Sequence, residues 1–107
     1  AQSQRSISAT KEFANCLCNM NDPSAKDYIG SKLGEIIDLM NKSEEDAERL
    51  MDFYLFLKRR YVYVLIKNGN YDDAESILEK MIEHDECVEF AKDELDFVKK
   101  QKDKSNI

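Results

Sequence analysis

Apolar residues recur every three or four positions along most of the chain, which is the spacing of one face of an α-helix. A helix is predicted from Pro23 onward, because Asp22 precedes it as a capping carboxylate and proline is tolerated in the first helical turn. A shorter helix is predicted upstream, from about Ser8. The apolar positions that indicate these helices are Phe13, Ala14, Leu17 and Met20 in the first, and Ala25, Tyr28, Ile29, Leu33, Ile36, Ile37 and Met40 in the second.

A third and longer helix is predicted from Ser43 to about Lys67. Ser43 followed three residues later by Asp46 is a variant of the capping box, and an acidic first turn suits the positive end of a helix dipole. From Phe53 onward apolar residues occupy more than one face, so we expect this helix to be central. One of its faces is formed by Ala47, Leu50, Met51, Tyr54, Leu57, Tyr61 and Leu65.

Residues 61–70, YVYVLIKNGN, also have the composition of a β-strand that leads into an Asn-Gly hairpin turn. Helical spacing nevertheless continues through this segment, and no second strand follows it. Gly69 is instead predicted to end the long helix in the left-handed conformation, and Asn70 to cap the next helix, whose first turn contains Asp72 and Asp73. We therefore predict two antiparallel helices joined by an elbow.

The last predicted helix extends from about Glu86 to Gln101, with Val88, Ala91, Leu95 and Val98 on one side. Only His84 and Asp85 separate it from the preceding helix, and neither is a helix breaker. The pattern therefore leaves two alternatives open for residues 71–101, namely two helices or one long bent helix.

The length of 107 residues suits one modest hydrophobic core. We therefore expect a single all-α interaction domain at residues 8–101, with about five helices arranged as antiparallel hairpins around one long central helix. Residues 1–7 are expected to form a flexible N-terminal segment, and residues 102–107 a frayed C-terminal tail.

The charge balance and the cysteines limit the class of protein. Asp and Glu number 22 against 16 Lys and Arg, so the formal net charge of −6 disfavours direct binding to nucleic acid. No run approaches the roughly 18 apolar residues of a membrane span, and the first residues lack the pattern of a signal peptide. Three cysteines without a framework spacing favour a reducing compartment. We expect an intracellular protein, cytoplasmic or nuclear.

The sequence offers little chemistry for catalysis or metal binding. It contains one histidine and no phosphate-binding loop, calcium loop or nucleophile elbow. His84 and Cys87 have the spacing of half a zinc site, but the other ligands would have to come from Cys16 or Cys18, which point about 200° apart on a helix. We expect no enzyme, no bound metal and no cofactor. A small zinc-binding protein that uses these four residues is the alternative.

A group of cations in the middle of the long helix is the candidate binding site. No carboxylate lies four residues before Lys58, Arg59 or Arg60, so local pairing within the helix does not neutralise them. Arginine beside aromatic residues is typical of protein-binding hot spots and suits acidic side chains or a terminal carboxylate of a partner. The predicted partner-binding residues are Tyr54, Phe56, Arg59, Arg60 and Tyr63. Alternatively, the three cations point about 100° apart and only cover a buried helix.

Residues 68–82, NGNYDDAESILEKMI, resemble the turn and second helix of a tetratricopeptide repeat. Gly69 and Tyr71 match the family at the turn, Ala74 matches the small residue where two helices cross, and Leu78 matches the large apolar residue that follows. The preceding helix departs from the repeat pattern, and there is no second copy at a period of about 34 residues. The resemblance implies a helical hairpin that binds proteins.

The longer segment VYVLIKNGNYDDAESILEKMI is similar to a helical hairpin in the homology domain of telomere repeat factors. That resemblance implies a domain that dimerises and docks short peptides in a nuclear complex. Both resemblances imply protein binding without catalysis. The expected function is a non-catalytic adaptor or scaffold module that binds a partner peptide or helix, or a second copy of itself, on an apolar helical surface.

Overall fold

The computed structural model describes residues 4–105. Within this range the chain forms α-helices joined by short turns and contains no strand. The all-α prediction is confirmed, and the alternative of a β-hairpin at residues 61–70 is wrong because the long helix continues through the apolar run to Lys67. The five helices are α1 (Gln4–Asn19), α2 (Ala25–Met40), α3 (Glu44–Lys67), α4 (Tyr71–Glu83) and α5 (Val88–Ser105).

Both ends of the described chain are helical. Helix α1 begins at Gln4, which is earlier than the predicted start near Ser8. Helix α5 continues to Ser105, past its predicted end. The remaining parts of the predicted flexible segment and frayed tail, residues 1–3 and 106–107, lie outside the described residues.

The starts of α2 and α3 are organised by short polar side chains. The Ser43 hydroxyl accepts a hydrogen bond from the Asp46 N–H at 3.1 Å, which confirms the predicted cap of α3. Helix α2 begins at Ala25, two residues after the predicted proline. In the turn before it, one carboxylate oxygen of Asp22 accepts hydrogen bonds from the hydroxyl of Ser24 at 2.7 Å and from its N–H at 2.8 Å. These bonds hold the pKa of Asp22 below its usual value.

Helices α1, α3 and α4 end in the same backbone motif. Each is followed by a residue with positive φ: Asn21 (53°), Gly69 (76°) and Asp85 (57°). The N–H of the next residue then donates to a carbonyl five positions earlier, which satisfies a carbonyl at the helix end. The donor and acceptor pairs are Asp22 N with Leu17 O at 3.0 Å, Asn70 N with Leu65 O at 2.8 Å, and Glu86 N with Met81 O at 2.7 Å.

The connection between α4 and α5 decides between the two alternatives for residues 71–101. The structure has two helices, because Asp85 and Cys87 both take positive φ values, 57° and 47°, which a continuing right-handed helix does not allow. Asp is one of the residues that enter this conformation more readily than most others. The chain therefore interrupts the helix here without glycine or proline.

The chain forms two compact units, the N-terminal unit (Ala1–Val64) and the C-terminal unit (Leu65–Ile107). The core of the N-terminal unit takes side chains from α1, α2 and α3. Its buried members are Ile7, Ala14, Leu17, Cys18, Ala25, Ile29, Ile36, Leu50, Phe53, Leu57 and Val64. That residues 8–101 act together as a single interaction domain stays a prediction.

In the C-terminal unit, α4 packs against α5. Lys102, near the end of α5, lies 2.7 Å from a carboxylate oxygen of Asp72, near the start of α4, so the two helices are antiparallel. The hydrogen bond with Asp72 also holds the pKa of Lys102 above its usual value. No helix within residues 4–105 has the length and apolar character that crossing a membrane requires.

The left-handed turn after α3 depends on Gly69. A Cβ at this position would have no atom within 4 Å, so the cost of a side chain comes from the φ of 76° alone. We expect Gly69→Ala to lower the free energy of unfolding by about 1 kcal/mol in urea titrations followed by circular dichroism. The matched control is Gly34→Ala, within α2, which also has open space and should raise stability by roughly 0.5–1 kcal/mol. Equal stability of the Gly69 variant and the parent would contradict the turn geometry.

The fully buried Ala74 leaves no room for a larger side chain. We expect Ala74→Leu to lower the free energy of unfolding by about 1–3 kcal/mol, because an overpacked core forces strained side chains and backbone shifts. Thermal unfolding measures the effect. Ser76→Leu, at an exposed position of the same helix, serves as the control and should change stability little. An unchanged melting temperature for Ala74→Leu would show that α4 is not packed as described.

Candidate protein-interaction site

The five predicted partner-binding residues do not share one face of α3. Each residue of a helix is rotated by about 100° from the one before, so Phe56, Arg60 and Tyr63, spaced by four and three, lie on the same side. Arg59 lies at the edge of that side. Tyr54 points to nearly the opposite side, because it precedes Phe56 by two residues. The structure therefore brings four of the five residues together and separates Tyr54 from them.

Helix α1 lies beside this face of α3. The Lys11 ammonium is 5.4 Å from the centroid of the Phe56 ring. Further along both helices, Arg60 of α3 lies near Cys18 of α1, where burial raises the pKa of the thiol and the positive charge and hydrogen bonding of Arg60 act to lower it. The two contacts advance in the same order along both helices.

The cation–aromatic strip, which we define as Lys11, Phe56, Arg60 and Tyr63, combines positive charge with an aromatic floor. The Arg60 guanidinium carbon lies 5.3 Å from the centroid of the Tyr63 ring. All four side chains are half-buried. Attraction between a cation and an aromatic ring is worth about 0.5–1 kcal/mol at exposed sites, so each ring helps to hold its cation in place. An anionic group that binds here would meet charges whose side chains are already partly ordered.

The charge along α3 makes this region positive within an acidic chain. Residues 44–52 contain five acidic side chains, whereas residues 53–67 contain four cations and no carboxylate. The helix dipole favours this order, with acids near the N-terminus and cations toward the C-terminus. The strip therefore lies on the half of α3 that would attract an acidic partner.

Two members of the contact network, Lys11 and Cys18, were missed by the sequence reasoning. They lie seven residues apart and therefore on one side of α1, but nothing in the linear sequence indicates that this side faces α3. Burial raises the pKa of the Cys18 thiol, and the positive charge and hydrogen bond of Arg60 oppose that rise. Cys18 is therefore a buried packing residue of the core near Arg60.

The opposite side of α3 is occupied by contacts within the N-terminal unit. Lys58 donates a hydrogen bond to the hydroxyl of Tyr54 at 2.7 Å. Tyr61 lies close to α2, where a Cβ at Gly30 would be only 3.2 Å from its ring. Lys58 and Arg60 thus point to different sides of α3. The alternative interpretation, in which the cations point in different directions around a buried helix, predicts this arrangement. Tyr54 and Lys58 contribute to internal packing and do not extend the strip.

The residues that carry the tetratricopeptide resemblance lie at the start of the C-terminal unit. Gly69 forms the left-handed turn, and Tyr71 is the half-buried first residue of α4. Ala74 and Leu78 are fully buried. Asn70 occupies the cap position without a side-chain cap hydrogen bond, and its carbonyl accepts from the Ala74 N–H at 3.1 Å. The antiparallel arrangement of α3 and α4 stays a prediction.

The four residues of the zinc alternative are divided between the two units. Cys16 and Cys18 belong to α1, whereas His84 and Cys87 lie in the connection after α4. Within residues 4–105 no group of three or more His, Cys, Asp or Glu side chains is arranged to hold a metal ion. The zinc hypothesis thus has no preformed ligand group in the described chain.

No family model, curated protein or solved structure matches this chain. What the structure itself defines is an all-α protein whose helices α1 and α3 carry a cation–aromatic strip.

The environments of the two α1 cysteines predict different reactivities. Cys18 is 2% exposed and its pKa is raised by burial, whereas Cys16 is exposed. Because the thiolate is the reactive form, we expect iodoacetamide to modify Cys16 well before Cys18 at neutral pH, as followed by mass spectrometry of proteolytic fragments. In denaturant the two should react at similar rates. Fast modification of native Cys18 would contradict its burial against Arg60.

Proposed function

We propose that this chain is a non-catalytic protein-interaction module of the adaptor or scaffold kind, and that it captures an acidic peptide or helix on the cation–aromatic strip. The observation that carries the proposal is the pair of half-buried cations beside aromatic rings, Lys11 with Phe56 and Arg60 with Tyr63. Arginine and tyrosine are enriched among residues that dominate binding energy at protein interfaces.

The chemistry of the strip defines the partner. A carboxylate of Asp, Glu or a chain terminus can accept charge-assisted hydrogen bonds from Arg60, and apolar side chains can cover Phe56 and Tyr63. Arg59, at the edge of the strip, extends the positive charge. The partner segment is therefore acidic with apolar residues one helical turn apart.

The remaining sequence features support the same proposal. The resemblance of residues 68–82 to a tetratricopeptide hairpin favours protein binding, and the net charge of −6 disfavours nucleic acid as a direct ligand. The absence of a disulfide framework in the cysteine spacing favours a reducing compartment, so we place the module in the cytoplasm or nucleus.

The test is to select peptides from a displayed random library on the folded protein and to measure the affinity of an enriched peptide by fluorescence anisotropy. We expect enrichment of sequences that combine acidic and apolar residues. Arg60→Glu should weaken the enriched peptide at least about tenfold, which corresponds to roughly 1.4 kcal/mol, because it removes a charge-assisted hydrogen bond and adds repulsion.

Lys42→Glu makes the same change of charge at an exposed residue between α2 and α3, so it controls for net charge. Circular dichroism must show that both variants remain helical. Equal loss of affinity in both variants would mean that binding depends only on overall charge. Enrichment of peptides without acidic residues, or binding that survives Arg60→Glu, would contradict the proposal.

A further inference from the structure

Helix α1 carries a second apolar surface, separate from the residues that it buries in the core. Three exposed apolar residues of α1 and the residue just after its end follow one another at spacings of four, three and four: Ala9, Phe13, Cys16 and Met20. Phe13 is 49% exposed and Met20 is 66% exposed, which is unusual for side chains of this size. We call these four residues the α1 seam.

Internal contacts fix the position of the large seam residues. The Phe13 ring packs edge-on against Tyr28 of α2, with the ring centroids 4.8 Å apart. The Cys16 thiol lies 3.6 Å from the Met20 sulfur, within the distance of a sulfur hydrogen bond. Side chains that are already oriented lose less freedom when a partner covers them.

The spacing and sizes of the seam residues match a second copy of the same helix. Alternating steps of four and three residues are the pattern by which paired helices pack side chains into each other. Small and large residues alternate along the seam. With two copies antiparallel about a two-fold axis, Phe13 of each copy faces Cys16 of the other, and Ala9 faces Met20. Every large side chain then meets a small one. Because the two-fold axis relates the two copies, each of these two contacts occurs twice in the dimer.

The charges also favour α1 as the contact between two copies. Each chain has a net charge of −6, so two copies repel through most of their surfaces. The stretch from Phe13 to Asn21 carries no charged residue. Two copies can therefore pack along Phe13, Cys16 and Met20 without burying a charge in the contact.

We propose that the α1 seam is covered by the α1 seam of a second copy of this chain, in an antiparallel two-fold dimer. Helix α1 has 16 residues and is about 24 Å long, so the contact belongs to the small class of specific interfaces. A dimer of this size should be reversible, with a dissociation constant on the order of micromolar. The cation–aromatic strip does not enter the argument, so this inference is independent of the proposed function.

The experiment is sedimentation equilibrium of the whole chain from low micromolar to several hundred micromolar concentration, under reducing conditions. We expect the parent protein to change from monomer to dimer across this range. Met20→Lys should remain monomeric even though the new charge lowers the net repulsion, because it puts an ammonium group in the seam. Asn15→Lys introduces the same charge at an exposed position of α1 outside the seam and should dimerise like the parent.

A size exchange tests the register. Ala9→Met and Met20→Ala should each weaken the dimer, the first by steric conflict and the second by a cavity. The double variant should recover dimerisation, because Met then faces Ala again at both symmetric positions. A parent protein that stays monomeric at the highest concentration overturns the proposal. A dimer that persists in Met20→Lys, or a double variant no better than the singles, overturns this seam and this register.

Discussion

The N-terminal unit depends on the burial of one face of α3. Leu50, Phe53, Leu57 and Val64 are spaced so that a single helix presents them in one direction, and all four are buried. Full burial of side chains of this kind is worth about 1.5–3 kcal/mol each, which is more than helix propensity or capping contributes per residue. Helices α1 and α2 are held in place because they supply the apolar side chains that cover this face. The packing of α1 beside α3 then brings Lys11 near Phe56 and Cys18 near Arg60.

Short connections make this packing possible. Three of the helices end on a left-handed residue, and the hydrogen bonds that follow satisfy carbonyls that the helix leaves without partners. Only one of these three residues is glycine. Asn21 and Asp85 show that this polar chain can use short side chains for the same purpose.

The two proposed surfaces have different chemistry because they use different sides of α1. Lys11 and Cys18 lie toward α3, where cations meet aromatic rings, and this side suits an acidic partner. Phe13 and Met20 are exposed in a stretch without a charged residue, from Phe13 to Asn21, and this side suits a copy of the same helix. The two proposals are therefore compatible, because dimerisation would use one side of α1 and partner binding the other.

Helical periodicity determined the fold class and the long third helix, and residue types at the helix ends determined the cap at Ser43 and the left-handed role of Gly69, because these features depend on neighbours within a few residues. The boundary at Asp85 was left open, since its backbone conformation requires no residue type that sequence rules recognise as a breaker. For the site, the sequence predicted the aromatic and arginine residues of α3 but not Lys11, and the structure places Tyr54 on another side of α3, where its hydroxyl accepts a hydrogen bond from Lys58. Only the tertiary structure decided which faces of the helices meet, because packing of side chains from distant segments, and not local propensity, sets the rotation and direction of each helix.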